Sequence, residues 1–464
     1  MGVLPGLGLP IAATWLLLRA SGLRTRSDTP AVTFTLSVAL GLGVASIAAF
    51  WFVVAGGTLG PRFVALDAAA WSLVALLSAW RLRVATGGAR PDTNAPDADA
   101  RAWRADGATR AAQVLFGLVA LLALATLAGE HRALPYGQWD AWAVWNHKAR
   151  FLFRGGGGDW ATVLDVPWSN PPHPMLVSGG VARLWAWAGA EWTGVPAVLG
   201  DLMAVAIVTG VMGAIGLGRA RAWLAGAVLL APYTFLQQVA AQQADLPVAL
   251  FVTAAVLVLY GERAAGTPGA WPVRALLLGG AVAGLGAWTK NEGVVFLAAS
   301  GMLLAVDALR ARAPGRLLWF GAGAAAALAT VVAFKWGIAP DTSVYLPSGA
   351  SQSAIDKVLS PALHATIGRI MLVWSVRWGG GPTVGLVPVL LAVAAWSAVV
   401  HRQAAARLLA VVGLMLAGYY VVYVLTPLDT EWLVTTTIDR LLVQLWPVIV
   451  LAAFLPRRPV PAGA

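Results

Sequence analysis

Long runs of apolar residues separated by short polar segments dominate the sequence. Thirteen of these runs approach the roughly 20 residues that an α-helix needs to cross a bilayer, and they contain few charges. We therefore predict an all-α fold, a polytopic transmembrane helical bundle of about 13 spans. The predicted spans are 3–19, 31–56, 62–80, 112–129, 195–217, 222–240, 245–260, 275–289, 293–308, 317–336, 382–400, 407–425 and 438–455.

The polar segments between the runs predict how the chain is organised. Residues 1–80 form an N-terminal three-span extension, and residues 81–111, rich in Ala, Asp, Arg, Gly and Pro, form a linker on the cytoplasmic side. The ten-span body covers 112–464. Its two large outer loops are 130–194 and 337–381, and the first of them is predicted to be partly helical.

Composition agrees with a membrane protein and excludes a water-soluble enzyme. Of the 464 residues, 59% are hydrophobic and 11% are charged, whereas an average soluble domain is about 25% charged. The mean hydropathy is +0.74. The chain has no cysteine, which excludes disulfides, iron–sulfur clusters and cysteine-based zinc sites.

The distribution of positive charge predicts an orientation. The chain has 32 Lys and Arg against 21 Asp and Glu, a net charge of +11. In a soluble protein this excess would suggest nucleic acid, but 20 of the 32 fall in alternate loops, which the positive-inside rule assigns to the cytoplasm. We therefore expect no nucleic-acid partner, an N-terminus outside and a C-terminus in the cytoplasm.

The loop after the fourth predicted span contains the first candidate catalytic group. No Pro or Gly lies between Trp139 and Phe153, so a short helix is predicted, with Asp140 and His147 on one face. A carboxylate placed among aromatic residues just beyond a span is a candidate general base. Asp140 is also suited to capping the helix that follows it, and the pattern leaves both roles open.

Two further motifs place charges where apolar runs meet. Asp245 stands in QQADLP at the start of a span, and Lys290 and Glu292 stand in WTKNEG between two spans. Charges facing lipid are costly, so these side chains face either a polar cavity or hydrated turns.

The last span carries polar residues some way into its apolar run. Arg440 is followed one helical turn later by Gln444, so a polar stripe enters the helix from the outer side. An arginine at that depth needs an anion, either a protein carboxylate or a ligand phosphate held by the guanidinium fork.

Four of these segments together resemble a known superfamily. They are WDAWAVWNHKAR, QQADLP, GLGAWTKNEG and TPLDTEWLVTTTIDRLLVQLWP. In their order and shared outer location, they are similar to bacterial members of the GT-C superfamily of integral-membrane glycosyltransferases, near the protein mannosyltransferases and the lipid A aminoarabinose transferase. The resemblance spans roughly 112–455 and leaves 1–80 without a counterpart.

The resemblance implies a transferase of the bacterial plasma membrane that works on its outer face. The donor would be a polyprenyl-phosphate-linked sugar, and the acceptor a hydroxyl of a glycan, lipid or protein. Asp140 matches the family's acidic position and would be the general base of an inverting reaction. The residues expected to hold the donor phosphate are Arg440, Lys290 and Lys148.

Other polar residues of the outer segments are expected to bind substrate or support the site. They are His147, Asp245, Glu292, His173 and Gln444. One departure is that Ala141 follows Asp140, where protein mannosyltransferases often have an Asp–Glu pair. We expect no required cofactor. A divalent metal held by Asp140, Asp159, Asp165 or His173 is the less favoured alternative, because their spacing matches no defined metal site.

Three other functions fit parts of the pattern. A lipid-linked glycan polymerase or ligase would rely on outer Arg and His residues such as His173 and Arg377. A transporter or flippase would need charges near the bilayer midplane, whereas most charges outside the predicted cytoplasmic loops lie at one face. A non-catalytic scaffold would tolerate changes at every outer polar residue.

Overall fold

The computed structural model describes residues 2–21, 29–86, 106–155, 158–261, 272–340, 352–401 and 404–455. Within these ranges every regular element is a helix, and no strand occurs. The prediction of an all-α fold is confirmed. The α-helices are Val3–Ala20 (α1), Pro30–Val54 (α2), Pro61–Thr86 (α3), Gly107–Ala133 (α4), Asn146–Arg154 (α5), Leu176–Ala188 (α6), Gly194–Ile215 (α7), Ala220–Leu230 (α8), Tyr233–Ala240 (α9), Asp245–Gly261 (α10), Val273–Thr289 (α11), Asn291–Arg310 (α12), Gly315–Gly337 (α13), Gln352–Val358 (α14), Pro361–Arg377 (α15), Leu386–His401 (α16), Ala404–Leu425 (α17) and Thr430–Phe454 (α18).

Ten of the described helices are long and apolar enough to cross a membrane, as expected for a multi-pass membrane protein. They are α1 to α4, α7, α12, α13, α17, α18, and α16 together with the short turn before it. Three of the thirteen predicted spans differ from this description. Helices α10 and α11 are apolar but have only 17 residues each, and the predicted span 222–240 is two helices, α8 and α9, bent by 67°.

Proline explains the bend between α8 and α9. Pro232 has no N–H to donate to the preceding turn, and its backbone is extended, with ψ 125°. The chain resumes at Tyr233, whose N–H donates to the carbonyl of Gly379 at 3.1 Å. Another segment therefore satisfies a backbone group that the break leaves unpaired.

The predicted linker 81–111 is helical at both described ends. Helix α3 continues to Thr86, and α4 begins at Gly107 because the Asp106 carboxylate accepts a hydrogen bond from the Thr109 N–H at 2.7 Å. Residues 87–105 lie outside the described residues.

The connections of the bundle define a loop face, the end at which α4, α11, α13 and α17 finish and α10, α12 and α18 begin. Both predicted outer loops leave the bundle there. The opposite ends of the helices carry the described arginines of the predicted cytoplasmic loops. These are Arg19, Arg81, Arg83, Arg110, Arg219, Arg221, Arg274, Arg310, Arg312, Arg316 and Arg407. Which of the two faces is outside stays a prediction.

The three predicted spans of 1–80 pack directly onto the rest of the bundle. Helix α2 lies against α6 and α7. The Thr35 hydroxyl donates to the Ala206 carbonyl of α7 at 2.6 Å, and the Trp51 indole donates to the Thr330 hydroxyl of α13 at 3.1 Å.

A buried ion pair ties α3 to the first large loop. Arg183 of α6 and Asp67 of α3 are 1% and 7% exposed, and Arg183 Nη2 lies 2.6 Å from Asp67 Oδ2. The Trp187 indole donates to the same oxygen at 2.7 Å, and Arg183 Nη1 donates to the Gly6 carbonyl of α1 at 2.7 Å. The pair therefore joins α1, α3 and α6.

Removing one charge of this pair is expected to destabilise the protein strongly. Asp67→Asn keeps the shape but leaves the Arg183 guanidinium buried without a counter-charge, a change that typically costs about 3–5 kcal/mol. The measurement is the melting temperature of the purified protein in detergent. Glu431→Gln is the control, because Glu431 is exposed and lies 4.0 Å from the exposed Arg369, and such pairs contribute little. Equal melting temperatures for the two variants would contradict the assignment.

Candidate functional site

The loop that carries Asp140 is fixed to the start of α10 by a close backbone approach. Gly137 has φ +73°, and a Cβ at this position would lie 2.5 Å from the Ala241 carbonyl oxygen. The next residue, Gln138, donates its N–H to that same oxygen at 3.1 Å. A glycine is needed here because a side chain would meet both the strained φ and the neighbouring backbone.

Asp140 stands at the entrance of a widened helical turn. A π-helix over Ala141–Trp145 leads into α5, so the predicted short helix is present. The Asp140 side chain makes no capping hydrogen bond, and the capping interpretation is therefore wrong. Its Oδ2 instead accepts a hydrogen bond from Nη2 of Arg440 at 2.7 Å, and the side chain is 30% exposed.

The QQADLP segment meets this loop through a strained residue. Gln242 has φ +58°, a left-handed conformation that non-glycine residues rarely adopt. Its side chain is held at both ends, because Oε1 accepts from the Asn146 amide at 2.9 Å and Nε2 donates to the Pro135 carbonyl at 3.2 Å. This turn places Asp245 in the first turn of α10, where the helix dipole favours negative charge.

Asp245 is the centre of the cluster. Its carboxylate is completely buried and accepts four hydrogen bonds from three side chains. Oδ1 accepts from Nζ of Lys290 at 2.8 Å and from Nε2 of Gln444 at 2.7 Å. Oδ2 accepts from Nε and Nη2 of Arg440 at 3.1 and 2.9 Å. Two cations therefore compensate one buried anion, as burial of a charge requires.

Lys290 sits in a tight connection between α11 and α12. Its backbone is extended, so it separates two helices that fold back on each other. Gly293 permits this approach, because a Cβ there would lie 1.9 Å from the Gly286 carbonyl oxygen. Nζ of Lys290 also lies 2.8 Å from Oε1 of Glu292, which is 20% exposed. Lys290 therefore faces a polar cluster inside the protein, as one of the two interpretations of its sequence motif predicts, and is not a hydrated turn residue.

Helix α18 contributes Arg440 and Gln444 one turn apart, as the polar stripe predicts. The Oε1 of Gln444 accepts a hydrogen bond from the Tyr419 hydroxyl of α17 at 2.8 Å. This bond orients the Gln444 amide, whose Nε2 donates to Asp245. The neighbouring Asp439 carboxylate accepts the Arg440 backbone N–H at 2.8 Å, and the Asp439 carbonyl accepts from the Trp378 indole at 2.9 Å.

The structure thus joins six of the nine predicted site residues in one network of contacts. They are Asp140, Asp245, Lys290, Glu292, Arg440 and Gln444. They come from the first large loop and from α10, α12, α18 and the α11–α12 connection. Lys148, His147 and His173 make other contacts.

Lys148 holds the turn of the NPPHP segment. Its ammonium is fully buried and donates to the carbonyls of Asn170, Pro171 and His173 at 2.7, 3.4 and 3.1 Å. Burial, reinforced by the charge of Lys335, holds the pKa of Lys148 well below its usual range. Because three carbonyls take up the ammonium protons, the geometry assigns Lys148 to the loop rather than to the donor phosphate.

The two predicted site histidines, His173 and His147, stack on different aromatic residues. The His173 ring is 8% exposed and stacks on Trp145, with 5.6 Å between the ring centroids and 14° between the planes. His147 stacks on Phe151 at 5.2 Å and lines a separate groove of α5 with Arg150. Burial, followed by the charges of Arg150 and Lys148, lowers the pKa of His147.

Two residues that support the site, Lys335 and Tyr419, were not predicted from the sequence. Lys335, near the end of α13, donates to the Pro172 carbonyl at 3.1 Å and to Asn291 Oδ1 at 2.9 Å. Tyr419 supports Gln444 from α17. The only signal for Lys335 was a lone lysine in an apolar run, and a lysine at a helix end is usually explained by hydration of its ammonium.

Some hydrogen-bonding groups of the cluster remain available to a ligand. Within the described ranges, Oδ1 of Asp140 and Nη1 of Arg440 make no hydrogen bond. The cluster therefore offers an acceptor and a charged donor side by side. No group of three His, Asp or Glu side chains with the arrangement of a metal site occurs in the described part of the chain. Independence from metal stays a prediction.

Asp245→Asn is expected to collapse the cluster. The amide removes the charge that compensates Arg440 and Lys290 and places a donor against donors, so we expect a loss of about 3–5 kcal/mol of stability. Thermal unfolding in detergent measures the loss. Glu431→Gln is the control, because Glu431 is exposed and lies 4.0 Å from Arg369. If Asp245→Asn melts at the same temperature as the control, Asp245 is not the organising charge.

Comparison with known proteins adds no identification. The chain matches no protein-family model, no curated protein and no solved structure. The function is therefore argued from the geometry and chemistry of the cluster, together with the resemblance of its sequence motifs.

Proposed function

We propose that the chain is a membrane glycosyltransferase. It moves a sugar from a polyprenyl-phosphate donor to a hydroxyl of a glycan, lipid or protein, with inversion at the anomeric carbon. The reaction takes place at the loop face, which the arginine distribution assigns to the outer side of the membrane. Asp140 is the general base, and Arg440 and Lys290 bind the donor phosphate.

The observation that carries this proposal is the contact between Asp140 and Arg440. These residues are 300 positions apart in sequence, yet Oδ2 of one lies 2.7 Å from Nη2 of the other at the loop face. Glycosyl transfer from a lipid phosphate needs this pair of groups close together, a carboxylate for the acceptor hydroxyl and a cation for the departing phosphate.

Asp140 is suited to the role of base by its exposure and its orientation. Of the two carboxylates that bind the Arg440 guanidinium, that of Asp140 is the exposed one, at 30% against 0% for Asp245. The guanidinium holds one carboxylate oxygen and leaves Oδ1 for the acceptor hydroxyl. In the reaction the acceptor oxygen forms a bond to the anomeric carbon while the bond from that carbon to the phosphate oxygen breaks. The hydroxyl proton passes to Asp140, and the polyprenyl phosphate leaves with the electron pair.

The fixed position of Arg440 and Lys290 supports their assignment to the phosphate. Both donate to the same buried carboxylate, that of Asp245, so their charges are held close together before any substrate arrives. Prearranged donors stabilise developing negative charge without reorganising during the reaction. Asp245 and Gln444 act as positioning residues, because their contacts orient the two cations.

The location of the cluster suits a lipid-linked donor. Ten apolar helices supply the membrane-spanning surface, and the cluster lies at the first residue of α10 and about three turns into α18. Trp139 and Trp142 flank Asp140 and are 61% and 43% exposed, as residues of a membrane interface often are. The polyprenyl chain would stay in the bilayer while its phosphate reaches Arg440.

The geometry gives less support to a ligase that uses His173 as its reactive group. His173 is 8% exposed and lies against Trp145. Burial, together with nearby positive charges, holds the pKa of His173 well below its usual range. A buried ring has poor access to a glycan acceptor.

Asp140→Asn is expected to lower the transfer rate about 10²–10⁴-fold, the usual contribution of a general base. The amide has the same shape and can still accept a hydrogen bond from Arg440 through its oxygen, so folding should be retained. The measurement is sugar transfer by purified protein in liposomes. Asp165→Asn is the control, because Asp165 is an exposed carboxylate of the same loop. Transfer by Asp140→Asn at the parental rate would show that Asp140 is not the base.

Deleting the gene is expected to change the lipid-linked sugars of the cell. One donor should accumulate and one glycosylated envelope product should disappear, because the step that consumes the donor and forms the product is lost. Mass spectrometry of lipid extracts and envelope glycans measures both. Restoring the product with the parental gene but not with Asp140→Asn would connect the change to this site. Identical profiles with and without the gene would contradict the proposed function.

A further inference from the structure

The Asn170–His173 turn is held by two lysines rather than one. Lys148 donates to the carbonyls of Asn170, Pro171 and His173, and Lys335 donates to the remaining carbonyl, that of Pro172. Four successive carbonyl oxygens therefore bind two ammonium groups. Pro171 and Pro172 have no N–H, so this stretch of backbone presents mainly acceptors and is suited to binding cations.

The two lysines differ in what they have left to donate. Lys148 is fully buried, and its three bonds all go to this turn. Lys335 is only partly buried, and in the described residues its ammonium makes two hydrogen bonds, to Pro172 and to Asn291. An ammonium has three protons, so Lys335 keeps one that can be given to a ligand.

Lys335 is connected to the cluster through Asn291. Asn291, which accepts its hydrogen bond, is the residue between Lys290 and Glu292. Burial first, and then the positive charges of Lys148, Lys290, Lys335 and Arg440, lower the pKa of the His173 ring. These four cations therefore lie near the same ring.

A lysine near the end of a membrane helix often needs no special explanation, because its ammonium reaches into water. Lys335 does not fit that description. Its ammonium points into the protein, to a side-chain amide on α12 and to a carbonyl of the first large loop.

Lys335 adds positive charge where the cations of the cluster are already engaged. Arg440 and Lys290 both donate to the carboxylate of Asp245, so part of their charge is compensated before a donor arrives. A further ammonium nearby would increase the attraction for an anionic phosphate.

We propose that Lys335 is a third phosphate-binding cation, held by its bonds to the Asn170–His173 turn and to Asn291, the residue that follows Lys290. This inference rests on the proposed function and names a further residue of the same site. On donor binding, the remaining proton of the ammonium contacts a phosphate oxygen, while its other two bonds stay in place. The turn therefore serves as the support that aims Lys335 into the site.

Binding of farnesyl phosphate, with farnesol as the reference without a phosphate, tests this inference independently of sugar transfer. Lys335→Gln keeps a hydrogen-bonding group for the turn but removes the charge. It is expected to weaken farnesyl phosphate binding about tenfold, the loss of one charge-assisted hydrogen bond, and to leave farnesol binding unchanged. Lys335→Arg restores the charge and should bind farnesyl phosphate within about threefold of the parent.

Lys357→Gln is the matched control. Lys357 lies at the loop face and donates to the Thr426 carbonyl, so its replacement removes one positive charge away from Asn291. It should leave both affinities unchanged. Melting temperatures of all variants establish that they are folded.

The outcomes separate this inference from the function on which it rests. If the parent protein and Lys335→Gln bind farnesyl phosphate with the same affinity, the inference is overturned. It is also overturned if Lys335→Gln weakens the binding of farnesol as much as that of farnesyl phosphate, because Lys335 then only supports the loop. If the parent protein binds farnesyl phosphate and farnesol with the same affinity, the assignment of a polyprenyl-phosphate donor is wrong, and the inference is overturned with it.

Discussion

The buried carboxylate of Asp245 is the constraint on which the site depends. A charge that is completely removed from water among apolar helices is too costly to remain uncompensated, so the fold must bring cations to it. Arg440 from α18 and Lys290 from the α11–α12 connection meet this requirement, and Gln444 completes the set of donors. The positions of several helix ends at the loop face are therefore linked through one side chain.

Arg440 transmits that constraint to the exposed part of the site. Its Nη2 group donates both to the buried Asp245 and to the exposed Asp140. The orientation of the Asp140 carboxylate is thus set by a residue of α18 that is itself held by Asp245. The same arrangement explains why the site keeps a defined geometry although Asp140 comes from a loop connected by a glycine turn and a π-helix.

The sequence was sufficient to predict the helical fold and much of the cluster. Asp245, Lys290 and Arg440 interrupt apolar runs, and the cost of burying charge makes such interruptions informative. The pattern could not predict which charges pair, because Asp67 and Arg183 are 116 positions apart and each is isolated among apolar neighbours. The apolar character of 222–240 suggested one span, although Pro232 within it marks the break between α8 and α9.

The roles of two lysines could not be read from their spacing. Lys148 is near Asp140 in sequence, but the π-helix between them changes the helical periodicity, and Lys148 turns toward the Asn170–His173 backbone instead. Lys335 is a single charge near the end of a helix, where most lysines are simply hydrated. Only the fold places it beside Asn291.

The contacts of α2 have a consequence for how the chain is made. Thr35 donates both to Ala31 of its own helix, at 3.2 Å, and to Ala206 of α7, so its hydroxyl has a partner before α7 is synthesised. Asp67 has no such local partner among its described contacts, since its carboxylate binds Arg183 and Trp187 from a segment translated much later. During biogenesis α3 must therefore keep this carboxylate in contact with water until the nascent chain delivers α6, which makes the assembly of the first three helices dependent on a late translational event.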